Sequence, residues 1–117
     1  MDKRGEKQSS DYVKSLLTLI DTNRTNAEFL TQNKIFHVLS SQSIKKLQHF
    51  GKLENINILK ADAHLSYSQD LGIHSVAEVI AETSYENGEA KIKFFAHKHH
   101  GLWELNDISV LTFRANI

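Results

Sequence analysis

The stretch Val79-Ile80-Ala81-Glu82-Thr83-Ser84-Tyr85-Glu86-Asn87-Gly88-Glu89-Ala90-Lys91-Ile92-Lys93-Phe94-Phe95-Ala96 holds two runs of period two about a central Asn-Gly. Residues one apart on a strand point to opposite faces, so alternation of this kind reads as a half-buried strand. Asn-Gly is the dipeptide best suited to a two-residue type I′ turn, in which both central residues need positive φ. The reading is a hairpin. A tight turn at Asn87-Gly88 is flanked by the pair Glu86–Glu89 and sets Tyr85 with Ala90, Thr83 with Ile92, Ala81 with Phe94 and Val79 with Ala96 on an apolar face. It pairs Glu82 with Lys93, Ile80 with Phe95 and Glu78 with His97 on the other.

Working outward, Leu59, Ala61, Ala63, Leu65 and Tyr67 alternate with Lys60, Asp62, His64 and Ser66, a further half-buried strand. A looser turn near Ser68–Gly72 sets Ala63 beside Ala77 and Asp62 beside Glu78. On the other side, a turn at His100-Gly101 pairs Ala96 with Leu105, His97 with Glu104 and Lys98 with Trp103. Asn106-Asp107 then breaks the alternation before Ile108 and Val110, which reads as a β-bulge. The result is a four-stranded antiparallel meander with one apolar face.

Upstream the period becomes helical. Ser9-Ser10-Asp11 can cap a helix bearing Tyr12, Val13, Leu16, Leu17 and Ile20, with Asp21-Thr22-Asn23 as its stop. Thr25-Asn26-Ala27-Glu28 has capping-box spacing and should begin a second, short helix. Beyond Ser40-Ser41, the residues Ile44, Leu47 and Phe50 mark a third, and Gly51 suits the left-handed position that ends it. The fold class is therefore α+β: N-terminal helices packed on a bent four-stranded antiparallel meander, with residues 1–9 as a disordered or linker tail and 10–117 as one domain. No proline interrupts the strands, so their curvature must come from bulges.

Composition excludes several functions. The 117 residues suffice for one core, and 14 Lys+Arg against 14 Asp+Glu leave no net charge, so the basic footprint of a nucleic-acid binder is missing. With no cysteine there is no disulfide, thiolate metal site or cysteine nucleophile. No apolar run approaches the ~18 residues of a membrane span. The charged start Met1–Gln8 lacks the apolar segment of a signal peptide. Because a chain cut free of an anchor starts in the same way, a cytoplasmic and a periplasmic or membrane-anchored location are equally open.

The helix-then-meander order, with Tyr85-Glu86-Asn87-Gly88 and the closing Gly101-Leu102-Trp103-Glu104-Leu105, resembles the cystatin-like fold of the nuclear transport factor 2-like superfamily over about Asp11 to Phe113. It is similar to small secreted or membrane-anchored bacterial members of unknown function. The resemblance implies a cone between helix and sheet, and a superfamily spanning isomerases, dehydratases, ligand-binding proteins, association domains and secretion-system subunits that commonly dimerise sheet to sheet. Fold alone does not choose among these. Isomerase-like members place carboxylates and a tyrosine in the cone, but the inward positions of the last three strands carry no acid. Thr83 and Tyr85 are the polar inward residues, and His37 or His49 from the helices could join them in a pocket. The Gln-x-Val-x-Gly of cystatin-type inhibitors is absent.

Seven histidines are many for this length. His97-Lys98-His99-His100 draws attention as a metal motif, yet its spacing supplies no rigid set of three or four ligands. The register lines up Asp62, Glu78, His97 and Glu104 across the outer face, a weak set for a divalent cation or a pH response and otherwise an ordinary charged surface. Ile80 and Phe95 form an apolar pair on that face, which a homodimer or another protein partner would cover. No Gly-x-Ser-x-Gly elbow or phosphate-cradling glycine loop is present, and no cofactor is implied. The leading expectation is a non-catalytic binding or assembly domain for a protein partner or a small apolar ligand, associated with the bacterial cell envelope. The alternative is a small isomerase or dehydratase with a pocket between helix and sheet.

Overall fold

The computed structural model describes residues 3–23, 45–46 and 48–115. Helix α1 spans Lys3–Thr22 and is followed by strands β1 Leu53–Ser68, β2 Gly72–Tyr85, β3 Gly88–His99 and β4 Leu102–Ala115. The strands form one antiparallel sheet in the order β1-β2-β3-β4, an open meander against which α1 packs. This is the α+β arrangement expected from the alternation.

Helix α1 forms because Val13, Leu16, Leu17 and Ile20 recur at i, i+3, i+4 and i+7, and all four are buried. Its start differs from expectation. Residues 3–9 are helical, not a disordered tail, since Ser9 and Ser10 do not cap. Their hydroxyls donate back to the Glu6 carbonyl at 3.1 and 2.8 Å from within the helix. Gly5 and Ser9 are buried on the core side of the first turns. At that end the Lys98 ammonium donates to Gln8 Oε1 at 2.9 Å, and at the other the Leu53 N–H donates to Asp21 Oδ1 at 2.8 Å. The helix is thus tied to the sheet at both ends. The capping-box helix from Thr25 lies outside the described residues, as does the start of the third helix. That helix ends in Phe50 and Gly51, whose φ of +84° is the left-handed stop foreseen.

The core joins the helix stripe to Phe50 and to Val79, Ala81, Tyr85, Ala90, Ile92, Phe94 and Ile108. Phe94 is wholly buried, a side chain whose removal from water contributes roughly 1.5–3 kcal/mol. The residues assigned to the inner face of β2 and β3 are all there. Leu65 and Tyr67 share that face by parity but remain 67 and 73% exposed, beyond the reach of α1, and Leu59 sits unpaired in a bulge at 47% exposure.

The β2–β3 register departs from the Asn-Gly expectation by two residues. Tyr85 pairs with Gly88, Thr83 with Ala90, Ala81 with Ile92 and Val79 with Phe94. The turn residues are Glu86 and Asn87, neither with positive φ. What overrides the dipeptide is the segment before β1. The Glu86 and Asn87 N–H groups donate to the Lys52 and Phe50 carbonyls at 3.0 and 2.9 Å, and the Glu86 carboxylate accepts the Lys52 N–H at 2.8 Å. The mirror-image turn occurs instead at His100-Gly101, with φ of 52° and 80°, and there the expected pairs Ala96–Leu105, His97–Glu104 and Lys98–Trp103 are present. The Asn106 bulge is present too, between Phe95–Asp107 and Ala96–Leu105.

Candidate functional site

The inner face offers little room. Thr83 is fully buried, its hydroxyl donating to the Ala90 carbonyl at 3.1 Å. Tyr85 is buried against Phe50 at a ring separation of 5.9 Å. Burial pushes the Tyr85 phenol above its ordinary value; a hydrogen bond with Thr83 works against this, and the Asp21 carboxylate adds to it. His49 is exposed rather than directed at these residues, and His37 lies outside the described residues. Thr83 and Tyr85 are therefore core residues, and the structure does not bring His49 to them. Along the seam between α1 and the β3–β4 hairpin a shallow groove is lined by Gln8, Tyr12, Lys98 and Trp103. The Trp103 indole N–H is buried there without an acceptor.

The outer face is more informative, and the observed register arranges it in rows. One runs Asp62–Glu78–Phe95–Asp107, the next Lys60–Ile80–Lys93–Ser109, and on the other side His64–Val76–His97–Glu104. The expected line of Asp62, Glu78, His97 and Glu104 is thereby split. Asp62 does lie beside Glu78 and His97 beside Glu104, but Glu78 faces Phe95 and His97 faces Val76. Ile80 and Phe95 are likewise diagonal neighbours rather than a direct pair. Glu78 takes Lys60 as its partner, Nζ to Oε2 at 3.0 Å, and this contact raises the Lys60 pKa through the hydrogen bond first and the charge second. Lys93 reaches over the Phe95 ring, 5.1 Å from its centre.

Between the Asp62–Glu78–Phe95–Asp107 row and the His64–Val76 row lies a groove of about 450 Å³ lined by Asp62, His64, Val76, Glu78, Phe95 and Asp107. Its floor is apolar and three carboxylates stand around it. Asn106 and Asp107, which the bulge re-aims, belong to this surface, and Asn106 Oδ1 hydrogen-bonds His97 Nδ1. Sequence reasoning located the bulge but not this consequence; the break in alternation was the signal. Among the described residues no three His, Cys, Asp or Glu side chains are gathered closely enough to hold a metal ion as they stand. Among the same residues no helix is long and apolar enough to cross a membrane.

No protein-family model matches the chain, and no curated protein or solved structure matches it. Function is therefore argued from the surface itself.

Proposed function

We propose that the chain is a non-catalytic assembly domain that pairs with a second copy of itself through the outer face of the sheet, within the nuclear transport factor 2-like type of architecture. The observation that carries this reading is the adjacency of two rows of opposite sign around an apolar pair. Asp62, Glu78 and Asp107 lie in one row with Phe95; Lys60 and Lys93 lie in the next with Ile80. A two-fold axis running between the rows lays the acidic row of each copy on the basic row of the other. Asp62 then meets Lys60 of the second copy, Glu78 its Ile80 and Phe95 its Lys93, while Lys60 keeps Glu78 of its own chain as a partner, with Ile80 and Phe95 of both copies at the centre. Phe95 is 37% exposed in the single chain, area that such pairing would remove from water. On the opposite face, α1 packs over the central positions Val79, Ala81, Ile92 and Phe94.

The test is the solution mass, by light scattering over a concentration series, of the wild type beside an Ile80→Lys/Phe95→Lys variant. A wild-type dimer that the variant splits supports the reading. A wild type that stays monomeric at every concentration overturns it and turns attention to a small apolar ligand in the groove.

A further inference from the structure

Three imidazoles and a carboxylate meet at the end of the outer face nearest the His100-Gly101 turn. His97 and His99 lie on the same face of β3, two positions apart. Glu104 is opposite His97 on β4. On β2, His74 is one position beyond the Ser75–Lys98 pair, and its ring stands edge-on to that of His97 with centres 6.1 Å apart. His97 and His99 ring centres are 6.4 Å apart. A His-x-His on one strand with a third histidine on its neighbour directs three ring nitrogens over a single patch of sheet.

Two of these rings use Nδ1 elsewhere and so turn Nε2 toward this patch. The Gly72 carbonyl can only accept, so His74 Nδ1, 3.0 Å away, is its donor and Nε2 keeps the lone pair. His97 Nδ1 is engaged in the same way by Asn106 Oδ1, which again leaves Nε2 as the ligating atom. That nitrogen lies 3.3 Å from Glu104 Oε2, and His99 Nδ1 lies 4.0 Å from Glu104 Oε1. Two ligand atoms of a tetrahedral zinc are themselves about 3.3 Å apart, given bond lengths of about 2.0–2.1 Å. The His97–Glu104 contact therefore already has the length of one edge of such a tetrahedron.

We infer that His74, His97, His99 and Glu104 form a binding site for a divalent transition metal of the zinc or nickel type, which closes on the ion as it binds. The donors do not converge in advance, and closure falls to the more exposed members. The His97 side chain is 16% exposed and held by Asn106, whereas those of His99 and Glu104 are more exposed, at 35 and 56%, and a rotamer change in them would bring their donors inward. Imidazole nitrogen with one carboxylate selects zinc, nickel or copper over magnesium and calcium, which prefer oxygen. His100, whose ring lies 4.0 Å from that of His99 at a tilt of 42°, is outside the ligand set.

Calorimetric titration of the tag-free full chain with zinc and with nickel, in buffer containing excess magnesium, tests this. One ion per chain is expected for the wild type and for His49→Ala, which alters an exposed histidine far along the sequence from the set. Binding should weaken roughly tenfold or more in both His97→Gln and His74→Ala, each first shown to be folded by circular dichroism. His97→Gln keeps a polar group beside Asn106 and Glu104, so its loss of binding would not reflect a lost hydrogen bond alone. No binding by the wild type, or unchanged affinity in both variants, overturns the inference. Stoichiometry is read per chain, so the outcome is independent of the proposed dimer.

Discussion

Gly88 begins β3 without needing a glycine's backbone freedom, because its φ is not positive. A Cβ added there would sit 2.8 Å from Phe50 Cδ1 and 2.9 Å from the Arg114 carbonyl oxygen, both closer than Cβ atoms come to heavy atoms in real structures. The ring cannot simply swing away, since it packs on Tyr85 at 5.9 Å and on Phe113 at 5.7 Å. The carbonyl is backbone of β4. An ordinary strand Gly→Ala change would stabilise by about 0.4–1 kcal/mol through the unfolded chain, whereas overpacking costs about 1–3 kcal/mol. Gly88→Ala should therefore destabilise by a net ~1–2 kcal/mol, a fall in Tm of roughly 4–8 °C. Urea unfolding and calorimetry measure it. Shortening the ring with Phe50→Leu removes one of the two collisions, so the same glycine change should cost about 0.5–1 kcal/mol less in that background. Gly101→Ala is the contrast: nothing lies within 4 Å of its added Cβ, and its cost of about 1–2 kcal/mol comes from a φ of +80° alone. It should be indifferent to Phe50. A Gly88→Ala protein as stable as the wild type, or more so, would refute the packing argument.

Asp21 stands in the last turn of α1, where the helix dipole disfavours an acid, and it accepts the Leu53 N–H at 2.8 Å. Asp21→Ala should cost about 1–2 kcal/mol in urea melts, while Asp21→Asn, which keeps an acceptor, should lose clearly less; equal losses would mean that the tether is not what matters. Alkaline stability follows from two phenols. Tyr12 is raised chiefly by burial and then by Glu104, against a backbone hydrogen bond from Leu105, and Tyr85 is raised chiefly by burial. A raised phenol keeps its proton in the folded chain after the unfolded chain has lost it. Stability is therefore whole below about pH 10, the ordinary phenol value, and declines as pH rises through the folded values. Unfolding midpoints followed upward from pH 9 should fall less steeply in Tyr85→Phe, and an identical slope would count against the burial assignment.

What the sequence made legible was parity, and what it hid was who faces whom. Alternation assigned Val79, Ala81, Thr83, Tyr85, Ile92 and Phe94 to the inner face because a strand's period is fixed by its own backbone. The Asn106 bulge was readable for the same reason, as a local break in that period. The β2–β3 register was not local. It is set by Lys52 and Phe50, more than thirty residues from the turn they hold, which bind Glu86 and Asn87 through backbone and carboxylate. A shift of two preserves every face and changes every neighbour. With Asn87-Gly88 as the turn, Glu78 would stand beside His97 and Glu82 beside Lys93, and charge would be paired within rows. With Glu86-Asn87 as the turn, Glu82 still faces a lysine, Lys91, but Asp62, Glu78 and Asp107 fall in one row with Phe95, and Lys60 and Lys93 in the next with Ile80. The anchoring of one turn by the segment before β1, and the glycine that lets Phe50 sit against β3, thus decide which side chains of the outer face are neighbours, and the proposed pairing of two copies depends on that register.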